Sequence, residues 1–226
     1  MRAVTESPGV GGVQLSVTFD QARAFIANFA QAIAADKDYL TELDSAIGDG
    51  DHGINMDRGM RAVVPKVEAL PQGQVSDLFR TVAMTLISTV GGASGPLYGT
   101  LFLQLATTLK GKEQVEPRDW SEALAAAVAA VMSRGRAEPN DKTMVDALLP
   151  ASQALVARLE SGADFDGALL AAEEAAHKGA EDTIPLVAHR GRASYLGERS
   201  AGHQDPGATS SWLLMKAAKE AFATGQ

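Results

Sequence analysis

The chain has 226 residues, 20 of them Lys or Arg against 28 Asp or Glu, for a formal net charge of −8. That balance excludes general nucleic-acid binding, which needs a basic footprint, yet it allows phosphate to be held locally through a metal. The absence of cysteine excludes disulfides and thiolate metal sites and fits a cytoplasmic protein. No stretch is apolar enough for a membrane span: the longest run, Ala123 to Met132, is about half the ~20 residues required.

Residues 1–17, with Gly, Ser-Pro and one Arg, read as a flexible leader, and residues 18–226 as one domain. Thr18 or Asp20 can cap a first helix whose apolar residues Phe25, Ile26, Phe29, Ile33 and Leu40 recur at helical spacing to about Asp44. The most informative stretch follows. Asp44, Asp49 and Asp51 stand in a D-x4-D-x-D spacing among Gly48, Gly50 and Gly53. Carboxylates that close raise one another's pKa unless a cation neutralises them. Hard oxygen ligands on a tight loop suit magnesium, which is completed by water and substrate phosphate. An EF-hand does not fit, because Gly53 and Met60 fall where ligands are needed. The plainer alternative is an ordinary Asp-Gly turn.

A helix is expected from Ile54 to about Leu70, with Pro65 predicting a kink or break. Another spans Val75 to Val90. After it, Gly91-Gly92-Ala93-Ser94-Gly95-Pro96 leads into a helix near Pro96, whose first N–H groups can hold phosphate. A tight turn between packed helices explains that stretch equally well. An alanine-rich helix covers Ser121 to Arg134, and Gly135 to Asp141 is a loop. Thr143 and Asp146 look like a cap and a first-turn acid of the next helix. Helical pattern continues over Ala151 to Leu159 and Phe165 to Gly179, with His177 on a solvated face. Arg190 to Arg199 is a loop in which Arg192 can pair with phosphate. Asp205 and Pro206 resemble an N-cap and first residue of the last helix, with Trp212, Leu213, Leu214 and Ala218 facing inward. Approximately eight helices and no strand of useful length make the fold all-α.

These segments together resemble the nucleotide-binding L subunit of dihydroxyacetone kinases. The resemblance rests on Leu43 to Gly53, Gly91 to Gly99, Lys142 to Asp146 and Asp205 to Ala208. It implies an antiparallel eight-helix barrel with an adenine nucleotide, ADP or ATP, and magnesium, expected as two ions, at one end. It assigns Asp44, Asp49 and Asp51 to the metal. It assigns His52, Gly53, Ile54, Asn55, Ala93, Ser94, Gly135, Met144, Arg192, Asp205, Pro206 and Gly207 to the nucleotide. In the phosphoenolpyruvate-dependent branch of that family, a phosphocarrier (M-type) subunit recharges bound ADP, and the γ-phosphoryl passes to dihydroxyacetone held on a separate K subunit. No nucleic acid or membrane partner is implied, no residue here takes the role of general base, and a homodimer stays open. Two other readings use the same residues: a subunit of an ATP-dependent kinase for another short ketose or sugar acid, and a non-catalytic nucleotide-sensing module.

Overall fold

Residues 16–223 are described in a computed structural model, and all but two of the leader's residues therefore lie outside the described part. The two that remain are Ser16 and Val17; Val17 is buried and its N–H donates to Val115 O at 2.7 Å. Thr18 then caps the first helix in a capping box with Gln21, the Thr18 hydroxyl accepting the Gln21 N–H at 3.1 Å.

Among the described residues nine α-helices follow: α1 Phe19–Ala35, α2 Lys37–Ile47, α3 His52–Glu68, α4 Val75–Thr89, α5 Ser94–Thr108, α6 Pro117–Gly135, α7 Val145–Glu160, α8 Phe165–Asp182 and α9 Pro206–Phe222. A short 3-10 segment, Arg192–Ser200, lies between α8 and α9. Eight of the helices close a ring, each packed on the next: α1, α3, α4, α5, α6, α7, α8, α9 and back to α1. The eight-helix barrel is therefore present, and α2 is an extra, shorter helix packed on α3, α9 and the 3-10 segment. The expected single helix from Thr18 to Asp44 is two, broken at Asp36. Leu40 stays buried in phase, so the apolar pattern carries no mark of the break.

Two prolines lie inside helices, one of them, Pro65, where the sequence predicts a kink or break. Pro65 does not end α3, and Pro150 lies within a continuous α7. A proline in a helix interior costs about 3 kcal/mol in isolation. Here the residues flanking each proline, Val63 and Val67 in α3, Leu148 and Ala151 in α7, are buried in the barrel and offset that cost.

The barrel interior is solid. Phe25, Phe79, Phe102, Trp120 and Phe222 form one aromatic cluster, with ring centroids 4.9 to 6.3 Å apart. Phe79 and Trp120 sit near the starts of α4 and α6, Phe222 ends α9, and Phe25 and Phe102 lie mid-helix, so the cluster fills the barrel from one end to its middle. The opposite end collects the starts of α3, α5, α7 and α9.

Candidate functional site

Antiparallel order has a consequence at that second end. Each helix start leaves N–H groups without intrahelical partners and a partial positive charge. Residues of the first turns or caps of α3, α5, α7 and α9 all line one cavity of about 350 Å³. Four such starts around one hollow make a favourable place for an anion.

The three aspartates form one side of it. Asp44 lies in the last turn of α2, and its Oδ2 accepts the N–H groups of Asp51 and His52 at 2.8 and 3.0 Å. A single carboxylate therefore ties off the start of α3 while its other oxygen remains available. The loop can fold back this tightly because Gly50 has φ +71° and because any side chain at Gly48 would collide with Asp44. One carboxylate oxygen from each of Asp44, Asp49 and Asp51 lies within 4.8 Å of the others. That separation and donor type fit a hard divalent cation such as magnesium. Arg192, reaching from the 3-10 segment, places Nε 3.0 Å from Asp49 Oδ2.

His52 begins α3 and is buried. Burial pushes its pKa down to about 4 against the opposing pull of Asp44 and Asp51, so the ring is neutral at neutral pH. Its Nδ1 is 3.0 Å from Ser94 Oγ at the start of α5, and its Nε2 is 2.9 Å from Ser210 Oγ in α9.

Lys142, absent from the sequence-derived site, is the buried cation of the region at 1% exposure. Its Nζ donates to the carbonyls of Thr183, Leu186 and His203 at 2.7, 3.2 and 2.5 Å. It thereby joins the segment after α8 to the loop before α9. Burial lowers its pKa, with Asp205 and Asp146 opposing. Asp205 is the N-cap of α9, accepting the Ala208 N–H at 2.7 Å. Burial drives the Asp205 pKa up to about 7, although the Ala208 bond and Lys142 pull it down. The expected cap at Thr143 differs in detail. Met144 occupies the cap position without a side-chain bond, and Asp146 reaches back to accept the Thr143 N–H at 2.7 Å.

The cavity brings together Asp44, Asp49, Asp51, His52, Ala93, Ser94, Gly135, Met144, Arg192, Asp205 and Pro206, from six separated stretches of chain. Gly53, Ile54, Asn55 and Gly207 do not line it. Gly53 packs against α2, where a Cβ would overlap Lys37 O. Ile54 is half exposed, and Asn55 is buried, accepting from Arg58 Nη2 at 2.7 Å. Sequence reasoning missed the apolar part of the lining, Leu97, Val131 and Ala137, and the cations Arg134, Lys142 and Arg190. The Lys142-Thr143-Met144 run was a signal for Lys142, and Leu97 and Arg190 lie in stretches already singled out; Val131, Arg134 and Ala137 sit without local distinction.

Comparison with known proteins fits this arrangement. The DAK2 domain model matches residues 46–220. The PEP-dependent dihydroxyacetone kinase ADP-binding subunit DhaL of Escherichia coli K12 is 40% identical over 210 residues, 91% of this chain and 100% of that protein. The corresponding subunit of the second such kinase in Listeria innocua is 45% identical over 185 residues, 81% of this chain and 85% of its own. The crystal structure of the dihydroxyacetone kinase of C. freundii superposes with a TM-score of 0.71 at 27% identity, covering 97% of this chain but 38% of that longer one. The chain belongs to the DAK2-domain family, in the group of separate DhaL subunits of dihydroxyacetone kinases.

Proposed function

We propose that this chain is the nucleotide-carrying subunit of a phosphoenolpyruvate-dependent dihydroxyacetone kinase. It would hold ADP and ATP in the cavity, and the γ-phosphoryl would pass to dihydroxyacetone bound on a separate K subunit, with an M-type phosphocarrier recharging the ADP. The observation that carries this reading is the gathering of three carboxylates within 4.8 Å beside a hollow lined by four helix starts. An acidic cluster alone would repel a diphosphate; helix starts alone would bind any small anion. Their combination suits a diphosphate shared with a divalent metal.

Asp44, through its other oxygen, Asp49 and Asp51 would hold magnesium, with two ions expected from the resemblance. Magnesium bound there supplies the positive charge that phosphoryl transfer needs on its non-bridging oxygens. The chain's own contribution is positioning. Ser94 and the α5 start would offer donors to phosphate, Arg192 would add a cation, and the apolar lining residues Met144, Leu97, Val131 and Ala137 would meet the purine. The homology to the separate DhaL subunits, each without a fused substrate domain, supports the division of labour.

The test is reconstitution. The purified chain should bind ADP only with magnesium, and should sustain phosphate transfer from phosphoenolpyruvate to dihydroxyacetone when K subunit and phosphocarrier are added. Turnover with free ATP and K subunit alone, at an undiminished rate, would reject the relay in favour of a directly ATP-dependent kinase.

A further inference from the structure

His52 stands at the centre of a hydrogen-bonded chain that crosses the barrel wall. Tyr98 Oη is 2.7 Å from Ser210 Oγ and 3.2 Å from Ser211 Oγ. Ser210 Oγ is 2.9 Å from His52 Nε2, and His52 Nδ1 is 3.0 Å from Ser94 Oγ. Tyr98, Ser210 and Ser211 are at most 1% exposed and none of them lines the cavity. Of the chain's members only His52 and Ser94 line the hollow, and both ring nitrogens of His52 are already engaged. The imidazole therefore has no free nitrogen for a nucleotide.

Counting protons leaves two directions, with Ser210 donating either to His52 Nε2 or to the Gly207 carbonyl, and acceptor strength separates them. A hydroxyl has one proton to give and can accept two. Ser210 Oγ has three neighbours: Tyr98 Oη, His52 Nε2, and the Gly207 carbonyl at 3.1 Å. The Gly207 oxygen already accepts in the helical ladder of α9, and it is the most distant of the three. Imidazole nitrogen is the stronger and nearer acceptor. The Ser210 proton goes to Nε2, and Ser210 accepts from Tyr98, which in turn accepts from Ser211. With Nε2 accepting, the ring carries its proton on Nδ1 and donates it to Ser94. The Ser94 oxygen, having accepted, is left with its own proton aimed at the cavity.

We infer that Tyr98 and Ser210 are positioning residues for phosphate binding, acting through His52 to hold the Ser94 hydroxyl as a donor toward the cavity. The reverse order would turn the Ser94 lone pairs on an incoming phosphate. Each bond in a one-way chain polarises the next, so the terminal donor is strengthened. The same chain fastens the starts of α3 and α5 to the first turns of α9. This inference rests on the nucleotide reading of the cavity, but its central claim, the direction of the bonds, does not.

Two measurements test it. Nitrogen-15 NMR of wild-type protein, with and without ADP and magnesium, should find His52 Nδ1 protonated and Nε2 bare; Nδ1 bare with the proton on Nε2 would overturn the inference. Binding then compares ADP with adenosine, both with magnesium, in Tyr98→Phe, Ser210→Ala and Ser210→Thr. Removing one link should weaken ADP by about threefold to tenfold and leave adenosine unchanged, with Ser210→Thr near wild type. Equal ADP affinity in Ser210→Ala and wild type, or equal weakening of ADP and adenosine, would also overturn it. If wild-type protein failed to bind ADP at all, the proposed function would fall, while the nitrogen shifts would still decide the direction of the chain.

Discussion

Arg192 Nε lies 3.0 Å from Asp49 Oδ2, so the guanidinium occupies one of the three carboxylates that face the cavity. Both side chains are partly exposed, at 68% and 34%, and a pair in that setting contributes about 0–1 kcal/mol. Such a pair yields easily to a stronger partner on either side. A divalent cation competes for Asp49, and a phosphate competes for Arg192.

Arg192→Ala should therefore change two affinities in opposite directions. Binding of manganese alone, followed by electron paramagnetic resonance, should tighten by up to about fivefold because a competing cation is gone. Binding of ADP at saturating magnesium should weaken by about tenfold or more, the value of a lost charge-assisted hydrogen bond. A variant in which both affinities weaken together would mean that Arg192 supports the aspartate loop rather than competing with a metal.

Asp44 and Asp49 should separate structure from binding. Asp44 caps α3 through the Asp51 and His52 N–H groups, whereas Asp49 makes an ion pair only with Arg192. Asp44→Ala should cost about 1–2 kcal/mol of stability even in chelator, on top of lost ADP binding. Asp49→Asn should keep the melting temperature in chelator within a degree or two and still lose magnesium-dependent ADP retention, read as nucleotide absorbance in the purified protein. Full retention by Asp49→Asn would remove Asp49 from the metal site.

Asp205 should make the nucleotide-free protein less stable as pH rises. Its pKa is about 7 folded against 3.8 for an unperturbed carboxyl. Below pH 4 both states are protonated and the group costs nothing. Between about pH 4 and pH 7 only the unfolded chain gives up the proton, so the folded state progressively loses ground, and above pH 7 the cost is complete. Asp205→Asn keeps a capping oxygen but does not titrate. Its stability relative to wild type, from urea denaturation in chelator, should rise by roughly 2–4 kcal/mol between pH 4 and pH 8. Parallel pH profiles would show that the carboxylate is fully compensated by Lys142.

Much of the architecture was legible along the chain because its signals are local. Thr18 with Gln21, and Asp205 with Pro206, mark helix starts by chemistry confined to a few residues, and both caps are present. Pro65, where a break was one expectation, differs for the opposite reason, and Pro150 is tolerated in the same way. Their cost is local but the packing that outweighs it, at Val63 and Val67 or Leu148 and Ala151, comes from helices distant in sequence. The break at Asp36 is of the same kind: α2 leaves the ring to pack on α3 and α9, and neither partner is visible from residues 19–47.

By itself the sequence determined an all-helical chain and an acidic, glycine-spaced loop, because helical periodicity and the repulsion of neighbouring carboxylates depend on spacing of a few residues. It marked Asp44, Asp49 and Asp51 on the same grounds, whereas Ser94 and Asp205 entered the site through the family resemblance. Only the tertiary structure decided that four helix starts meet at one cavity, that Lys142 is the buried cation beneath it, and that His52 is committed to Ser94 and Ser210. Those relationships join residues 41 to 158 positions apart. They exist because closing the ring brings alternate helix starts to the same end, a geometric result that no local pattern encodes.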